Sequence, residues 1–387
     1  MQKLSYTEIA KKYAQKVVAG EILACKWVQA ACQRQLSDLK KFKGKGSPYQ
    51  FNPKLTSKTG KSYYPADNMC AFIERLPHVK GPLAGEPISL EPWQVFILTT
   101  VFGWVKADGT RRFRRSYIEV PRGNAKSTLS SAVGLYMLAA DGEGGAEVYS
   151  LATTRDQARI VFGDAQTMAR RSPGFRNRFS VNVGAHNMNV LSSGSKFEAL
   201  SAEGSTLDGL NIHFGCVDEL HAHKTRTVYD VVETGTGKRD NSLLWVITTA
   251  GSNRAGICYE VRTFVTKLLD GVFGDAAQRL LEQCADDHPR QMPDAAEHDH
   301  RDDHDRLLQR ERLGRDEALE AGEHGAGHAA EGGAHAEGQQ LEVAGVDAHG
   351  LGGDFVFADG HPGAADAALL QPVADDHADH HQQRSEE

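Results

Sequence analysis

The sequence predicts an α/β fold in which a mostly parallel sheet is flanked by helices. Two observations lead to this prediction. Between residues 117 and 249, short runs of β-type apolar residues alternate with stretches of helical periodicity. The first run ends in a polar turn that contains a lysine, and the fourth ends in two adjacent carboxylates. Strands that alternate with helices favour parallel pairing, with both faces of the sheet covered.

The length and composition exclude several classes of protein. The 387 residues are enough for two ordinary globular domains. No apolar run approaches the roughly 18 residues that a membrane span needs. The N-terminal residues lack the apolar core of a secretion signal. The six cysteines are scattered without a C-x-x-C pair, which favours the reduced thiols of a cytosolic protein.

The N-terminal part of the chain is predicted to be helical. Residues 7–40 carry apolar side chains at three- and four-residue intervals, and Gly20 marks a break between two helices. Residues 41–66 are basic and rich in Gly, Ser and Pro, which is typical of a loop or linker. We therefore predict a first segment of helices and basic linker over 1–66 and an α/β domain over 67–270.

The predicted domain begins with a short helix near 67–76. Its predicted strands span 117–120, 148–153, 197–200, 212–217 and 243–249. Helices connecting them are predicted over 127–140 and 155–171.

Residues 271–387 differ in composition from the rest of the chain. They hold 27 acidic residues, eight arginines, no lysine and 12 of the 17 histidines. So few large apolar groups predict a disordered acidic tail, with a frayed helix near 305–323. Three interpretations stay open: a metal-binding His/Asp segment, a solvated acidic tail, or the product of a reading-frame shift. The last is suggested because Asn, Ile, Tyr and Lys, which have AT-rich codons, all stop near residue 270.

The rest of the chain is net basic, which suits a polyanionic partner. Its chemistry begins at residues 116–128, SYIEVPRGNAKST, where a β-type run enters a polar turn before a helix. A phosphate-binding loop needs backbone N–H groups at a helix N-terminus, a lysine for the terminal phosphates and a hydroxyl for Mg²⁺. Lys126 and Ser127 stand where the last two belong. The strict pattern fails at both glycines, which are Val120 and Ala125 here, so a basic turn before a helix is the alternative.

A second motif, IHFGCVDE at residues 212–219, is a β-type run that ends in Asp218 and Glu219. In an ATPase, the first carboxylate can hold Mg²⁺ and the second can orient and deprotonate the attacking water. An apolar run that ends in two acids by chance is the alternative. One strand–helix unit separates the two motifs, and a last strand, LLWVITTAG, covers 243–251. This order favours a P-loop NTPase sheet with an additional strand.

Five motifs in this order resemble the large subunit of tailed-phage terminases, the motor that packages DNA into preformed capsids. The resemblance covers roughly residues 5–270. Its motifs are GEPISLEPWQVFIL (85–98), PRGNAKST (121–128), YSLATTRDQA (149–158), EGSTLDGLNIHFGCVDELHAH (203–223) and WVITTAG (245–251).

The resemblance implies ATP and Mg²⁺ as cofactors and suggests roles for the matched positions. Nucleotide binding is expected of Gln94, Arg122, Gly123, Asn124, Ala125, Lys126, Ser127 and Thr128. Glu219 is the expected catalytic base, assisted by Lys126 and Arg122, and the metal is expected on Ser127 and Asp218. Thr248 or Thr249 would sense the γ-phosphate and couple hydrolysis to DNA movement.

The resemblance also implies partners: double-stranded DNA, a terminase small subunit and the capsid portal. It implies a homo-oligomer during packaging, no membrane, and the cytoplasm of the bacterial host as location. The family's C-terminal nuclease is not recognisable, since Asp347 and Asp354 match its first strand only faintly. We therefore expect a chain without a working nuclease. A helicase-type ATPase and an inactive remnant that binds nucleotide or DNA without turnover are the alternatives.

Several residues allow two interpretations. The family usually has glycine at Ala125; a right-handed backbone would accept alanine there, and we expect turnover to survive because the family's loop is already irregular. Trp93 either stacks on adenine or packs in the core. The basic stretch RRFRR, 111–115, either contacts DNA phosphates or forms a solvated hairpin tip. His221 and His223 are expected to be polar loop residues, with metal ligation as the alternative.

Overall fold

The computed structural model describes residues 4–44, 46–57, 60–201 and 209–272. The acidic tail from residue 273 onward lies outside these residues, as do the helix expected near 305–323 and the two aspartates compared with a nuclease strand. No helix in these ranges is long and apolar enough to cross a membrane.

Nine helices and eleven strands make up the described chain. The helices are α1 (Tyr6–Val18), α2 (Lys26–Lys41), α3 (Pro65–Ile73), α4 (Pro92–Gly103), α5 (Lys126–Ala139), α6 (Arg155–Arg171), α7 (Pro173–Phe179), α8 (Thr227–Thr236) and α9 (Ile257–Leu269). The strands are β1 (Tyr49–Phe51), β2 (Leu55–Thr56), β3 (Ser62–Tyr63), β4 (Trp104–Lys106), β5 (Arg115–Glu119), β6 (Glu147–Ala152), β7 (Val181–Val183), β8 (Asn187–Val190), β9 (Ser195–Ser201), β10 (Ile212–Asp218) and β11 (Leu243–Thr248).

Seven strands form the central sheet, in the order β5-β11-β10-β6-β9-β8-β7. The five strands from β5 to β9 in that order are parallel, and β8 and β7 extend the sheet antiparallel. Every residue of β10 and β11 is buried, which explains why both strands are nearly continuous apolar runs in the sequence. The prediction of a mostly parallel sheet flanked by helices is confirmed.

The N-terminal helices belong to the same hydrophobic core as the sheet. Ser5 caps α1 in a reciprocal capping box with Glu8, and α1 buries Ala10, Ala14 and Val17 along one face. These residues lie in one continuous cluster with α4 and the sheet strands. The division predicted at residue 66 therefore falls inside one core.

The predicted linker, 41–66, is partly folded. Its strand β1 pairs antiparallel with β4, and the ring of Phe51 lies 5.1 Å from that of Trp104. Strands β2 and β3 form a separate two-stranded ribbon. The composition of residues 41–66 suggested a loop because a strand such as β1 is stabilised by pairing with β4. That partner is distant in sequence and cannot be recognised from local composition.

The basic stretch 111–115 does not form a solvated hairpin tip, so that interpretation of it is wrong. Arg111 and Arg112 are each only 4% exposed. Arg111 pairs with Asp141 at 2.7 Å, and Arg112 pairs with Asp38 at 2.8 Å. The rings of Phe42, Tyr49, Trp104 and Phe113 lie around the Arg112 guanidinium group. These arginines therefore join α2 and the loop after α5 to the start of β5.

Candidate nucleotide-binding site

The predicted site residues meet at the carboxyl edge of three neighbouring strands. Strand β5 leads into the lysine loop, β10 ends in the acid pair, and β11, which lies between them, ends in the two threonines. The N–H of Val120 donates to the carbonyl of Thr248 over 3.0 Å, and the N–H of Glu219 donates to that of Ile247 over 2.9 Å. These bonds hold the three strand ends together, and ligands of open α/β sheets bind at this edge.

The lysine loop is a tight turn that ends directly at helix α5. Gly123 has a φ of 84°, and the Asn124 side-chain amide donates to the carbonyls of Pro121 at 3.2 Å and Arg122 at 3.4 Å. Ala125 is the N-cap of the helix and has no side-chain acceptor. The N–H groups of the first helical turn are thus not capped by a side chain, which suits an anion.

Ala125 adopts a left-handed backbone, with φ 53° and ψ 27°. The right-handed conformation under which alanine would fit without strain is therefore not the one observed. A Cβ in this region costs about 1–2 kcal/mol relative to glycine. Ala125 thus replaces the family's usual glycine at a position where the backbone conformation favours glycine.

Lys126 and Glu219 face each other across the site. The Lys126 Nζ lies 3.7 Å from Glu219 Oε1, and it donates to the carbonyls of Val120 and Pro121 over 3.5 Å each. The lysine is 8% exposed, whereas the Glu219 side chain is 31% exposed. The Lys126 ammonium group lies between the loop carbonyls and a carboxylate. It can exchange these partners for the oxygens of a phosphate that enters the loop.

The two carboxylates of the acid pair have different environments. Burial, followed by the charge of Glu219, raises the pKa of Asp218 to about 6. Glu219 has a left-handed backbone, with φ 49° and ψ 51°. Strained backbone of this kind concentrates at functional sites, where the surrounding contacts impose it.

His221 is a site residue whose contacts sequence analysis missed. Its Nδ1 lies 3.1 Å from Glu219 Oε2, 3.1 Å from Thr248 Oγ1 and 3.2 Å from Thr249 Oγ1. The only available signal was its position two residues after the acid pair. His223 is buried instead, and its Nε2 lies 3.3 Å from the carbonyl of Asp218. Burial lowers the pKa of His223, which favours a neutral ring.

Two predicted residues at the start of α4 make other contacts. The Gln94 Oε1 accepts from the N–H of Glu91 over 3.0 Å, so this amide completes a capping box of its own helix. Trp93 is half-buried and packs against the core, as in one of its two interpretations. Arg122 is exposed in the lysine loop, and Ser127 and Thr128 lie half-buried in the first turn of α5.

The donor set at this edge fits Mg²⁺ and a nucleotide phosphate. Mg²⁺ prefers oxygen ligands and is commonly held by one or two carboxylates together with substrate phosphates. Asp218 and Ser127 supply a carboxylate and a hydroxyl. Within the described residues, no three His, Cys, Asp or Glu side chains converge as a metal cluster.

Comparison with known families decides which P-loop fold this is. Residues 92–267 match the family profile described as the terminase large subunit, ATPase domain. These residues belong to that family. The terminase ATPase domain thus contains the lysine loop, the acid pair and the threonines, and an ATPase domain implies nucleotide binding.

Curated proteins and solved structures resemble parts of the chain. The terminase large subunit of Enterobacteria phage HK97 is 28% identical over 195 residues, covering 49% of this chain and 38% of that protein. Protein YmfN of Escherichia coli (strain K12) is 45% identical over 64 residues, covering 16% of this chain and 14% of that protein. The crystal structure of the HK97 bacteriophage large terminase has a TM-score of 0.46 at 26% identity, covering 55% of this chain and 42% of that one. The chain therefore spans less than half the length of the HK97 protein.

Proposed function

We propose that this chain is an ATP-hydrolysing motor subunit of terminase type that moves double-stranded DNA into a capsid. One observation carries the proposal. Lys126, Glu219 and Thr249 meet at the carboxyl edge of a parallel sheet, within a domain of the terminase ATPase family. This arrangement joins a phosphate-binding cation, a water-orienting carboxylate and a hydroxyl on the neighbouring strand.

The lysine loop binds the phosphates in this proposal. The uncapped N–H groups at the start of α5 face the anion, and Lys126 exchanges Glu219 and the loop carbonyls for phosphate oxygens. The exposed Arg122 adds positive charge at the mouth of the loop. Ser127 and Asp218 would hold Mg²⁺, which would supply positive charge beside the phosphates.

Glu219 orients and deprotonates the attacking water. Binding of phosphate by Lys126 removes the cation 3.7 Å from Glu219 Oε1, which frees that oxygen to accept a proton from water. Thr249 Oγ1 donates to Glu219 Oε2 over 3.4 Å, so the end of β11 contacts the group that changes during the reaction. Thr248 and Thr249 are therefore placed to couple hydrolysis to motion.

The partners follow from the family and from charge. A basic body suits double-stranded DNA, since phosphate contacts by Lys and Arg dominate DNA affinity. We propose a terminase small subunit and the capsid portal as protein partners, a homo-oligomer during packaging, and the cytoplasm of the bacterial host as location.

ATP hydrolysis by the full-length chain, with and without duplex DNA, tests the proposal. Lys126→Ala and Glu219→Gln should each lower kcat by at least about hundredfold, because each removes a group that stabilises or activates the reacting atoms. The matched controls are Lys11→Ala and Glu21→Gln, two exposed residues outside the site, which should leave kcat unchanged.

Three other outcomes would contradict the proposal in different ways. Unchanged hydrolysis in both site variants would show that the site lies elsewhere. Strand separation by the chain would indicate a helicase-type ATPase. Nucleotide binding without turnover would indicate an inactive remnant.

A further inference from the structure

His221 lies between the acid pair and the end of the neighbouring strand. It belongs to the short 3-10 helix Leu220–Ala222 that follows β10. Its side chain is 23% exposed, so the ring is mostly enclosed. The backbone N–H of His221 donates to Thr248 Oγ1 over 3.1 Å, which fixes the residue at both its backbone and its ring.

The close packing around His221 depends on a glycine. A Cβ built on Gly251 would lie 2.7 Å from the Cβ of His221, closer than carbon atoms approach in proteins. Gly251 therefore lets the chain after β11 pass directly against this histidine. The final glycine of the TTAG sequence has a steric role that its position in the chain did not reveal.

The hydrogen-bond pattern identifies which ring nitrogen carries a proton. Thr248 Oγ1 donates its hydrogen to the carbonyl of Thr249 over 2.9 Å, and Thr249 Oγ1 donates to Glu219 Oε2 over 3.4 Å. Both hydroxyl oxygens can therefore accept from the His221 Nδ1. The Glu219 carboxylate can only accept, so a hydrogen bond across the 3.1 Å between its Oε2 and Nδ1 requires the hydrogen on Nδ1.

The carboxylate of Glu219 has contacts on both of its oxygens. Its Oε1 faces Lys126 Nζ at 3.7 Å, and its Oε2 faces His221 Nδ1 at 3.1 Å and accepts from Thr249 Oγ1 over the longer distance of 3.4 Å. Without the His221 contact, only the longer threonine bond holds Oε2, and the carboxylate can rotate more easily onto the lysine. In that ion pair, Lys126 would be less available to phosphate and Glu219 would be less available to water.

We propose that His221 is a positioning residue that holds Glu219 through its Nδ1–H and links that carboxylate to Thr248 and Thr249. The proposal rests on the proposed function, because it assigns Glu219 to the activation of water. His221 does not itself touch the reacting atoms. Its effect is to keep Oε2 in place, so that Oε1 is available to water once Lys126 has bound phosphate.

The test uses side chains that differ in where they place a donor. Asparagine puts its amide nitrogen at the position of Nδ1, whereas glutamine extends farther and matches Nε2. In the full-length chain, His221→Ala and His221→Gln should lower kcat for ATP by roughly tenfold to hundredfold, the range seen when a supporting hydrogen bond to a functional ligand is lost. KM for ATP should change little. His221→Asn should recover most of kcat.

His186→Ala is the matched control. His186 is an exposed histidine on the turn between β7 and β8, at the far edge of the sheet from β5, and its loss should change neither constant. Equal losses of kcat in the alanine and asparagine variants would overturn the proposal. So would a rise in KM without a fall in kcat, since that pattern indicates nucleotide binding rather than positioning.

A second measurement separates failure of this proposal from failure of the proposed function. Histidine-selective ¹⁵N NMR of the full chain, assigned by the signal missing in His221→Asn, reports which ring nitrogen is protonated. A hydrogen on Nδ1 supports the contact, and a hydrogen on Nε2 alone overturns the proposal even in an active enzyme. If the unsubstituted chain binds ATP without hydrolysing it, the proposed function fails, and with it the catalytic role of His221.

Discussion

Asp141 and Asp218 are both buried aspartates beside the central sheet, but they lie at opposite edges and their pKa values shift in opposite directions. Burial alone would raise the pKa of Asp141, but Arg111 and then His213 outweigh it and lower the pKa to about 2. At the carboxyl edge, burial and the charge of Glu219 together raise the pKa of Asp218 to about 6.

The difference shows at which edge of the sheet the protein itself pairs its buried carboxylate with cations. At the amino edge, Arg111 and His213 contact the Asp141 carboxylate at 2.7 and 2.8 Å. At the carboxyl edge, two carboxylates are adjacent and the nearest cation, Lys126, lies 3.7 Å from one of them. Buried charge at the amino edge stabilises the fold, whereas charge at the carboxyl edge favours binding of a cation and an anionic ligand.

The largest expected effect comes from Arg111→Ala. Removing this arginine leaves Asp141 buried with only part of its compensation, so the free energy of unfolding should fall by about 3–5 kcal/mol. Denaturant unfolding followed by tryptophan fluorescence measures it. Arg122→Ala, at the carboxyl edge, is the control; this arginine is exposed, and its loss should change stability by less than about 0.5 kcal/mol. Similar losses in both variants would refute the contrast between the edges.

The second largest effect is expected at low pH, where Asp141 should lose its contribution to the free energy of unfolding. Its folded pKa lies below the ordinary value of 3.8, so the stabilisation is complete above that pH and is lost as the pH falls toward about 2. A shift of this size corresponds to about 2 kcal/mol. Unfolding free energies measured across this range should fall more steeply for the unsubstituted chain than for Asp141→Asn. Parallel curves would show that Asp141 is not the group that titrates.

The acid pair should make cation binding depend on pH near neutrality. A carboxyl with a raised pKa is protonated below about 6, and only the carboxylate binds a cation, so affinity should rise with pH through that value. Binding of Mn²⁺ with ADP, followed by electron paramagnetic resonance, should weaken about tenfold per pH unit below the pKa. Glu219→Gln should move this dependence to lower pH because it removes the neighbouring charge. A dependence that does not move would mean that another group controls it.

The smallest expected effect is at Ala125. Ala125→Gly removes a Cβ from a left-handed backbone and should stabilise the chain by about 1 kcal/mol, with a matching gain in ADP affinity if the loop becomes easier to form. Ala30→Gly, within right-handed helix α2, should destabilise the chain by about 0.5–1 kcal/mol. Thermal unfolding of the two variants should therefore shift in opposite directions. A loss of stability in both would show that Ala125 is not strained.

Local patterns predicted most of the secondary structure around the site. Helix α6 has the predicted bounds, and the strands that carry the acid pair and the threonines differ from prediction by one residue. These elements were predictable because periodicity and apolar runs are properties of neighbouring residues. Helices α4, α8 and α9 and the hairpin β7–β8 were not predicted. Helix α4 is buried on almost all sides, so it lacks the one-sided apolar stripe that marks a surface helix.

The fold class, the order of the motifs and the residue types at the end of each central strand can all be predicted from the sequence. The tertiary structure determines which of those residues meet. It turned Arg111 and Arg112 inward because Asp141 and Asp38, distant in sequence, lie where their charges can be paired. It placed Thr248 beside His221, 27 residues earlier, because β10 and β11 are neighbours in register. It also imposed the left-handed backbone on Ala125, since that torsion angle follows from how β5 and α5 are joined and held against the sheet, a constraint set by packing rather than by the residue itself.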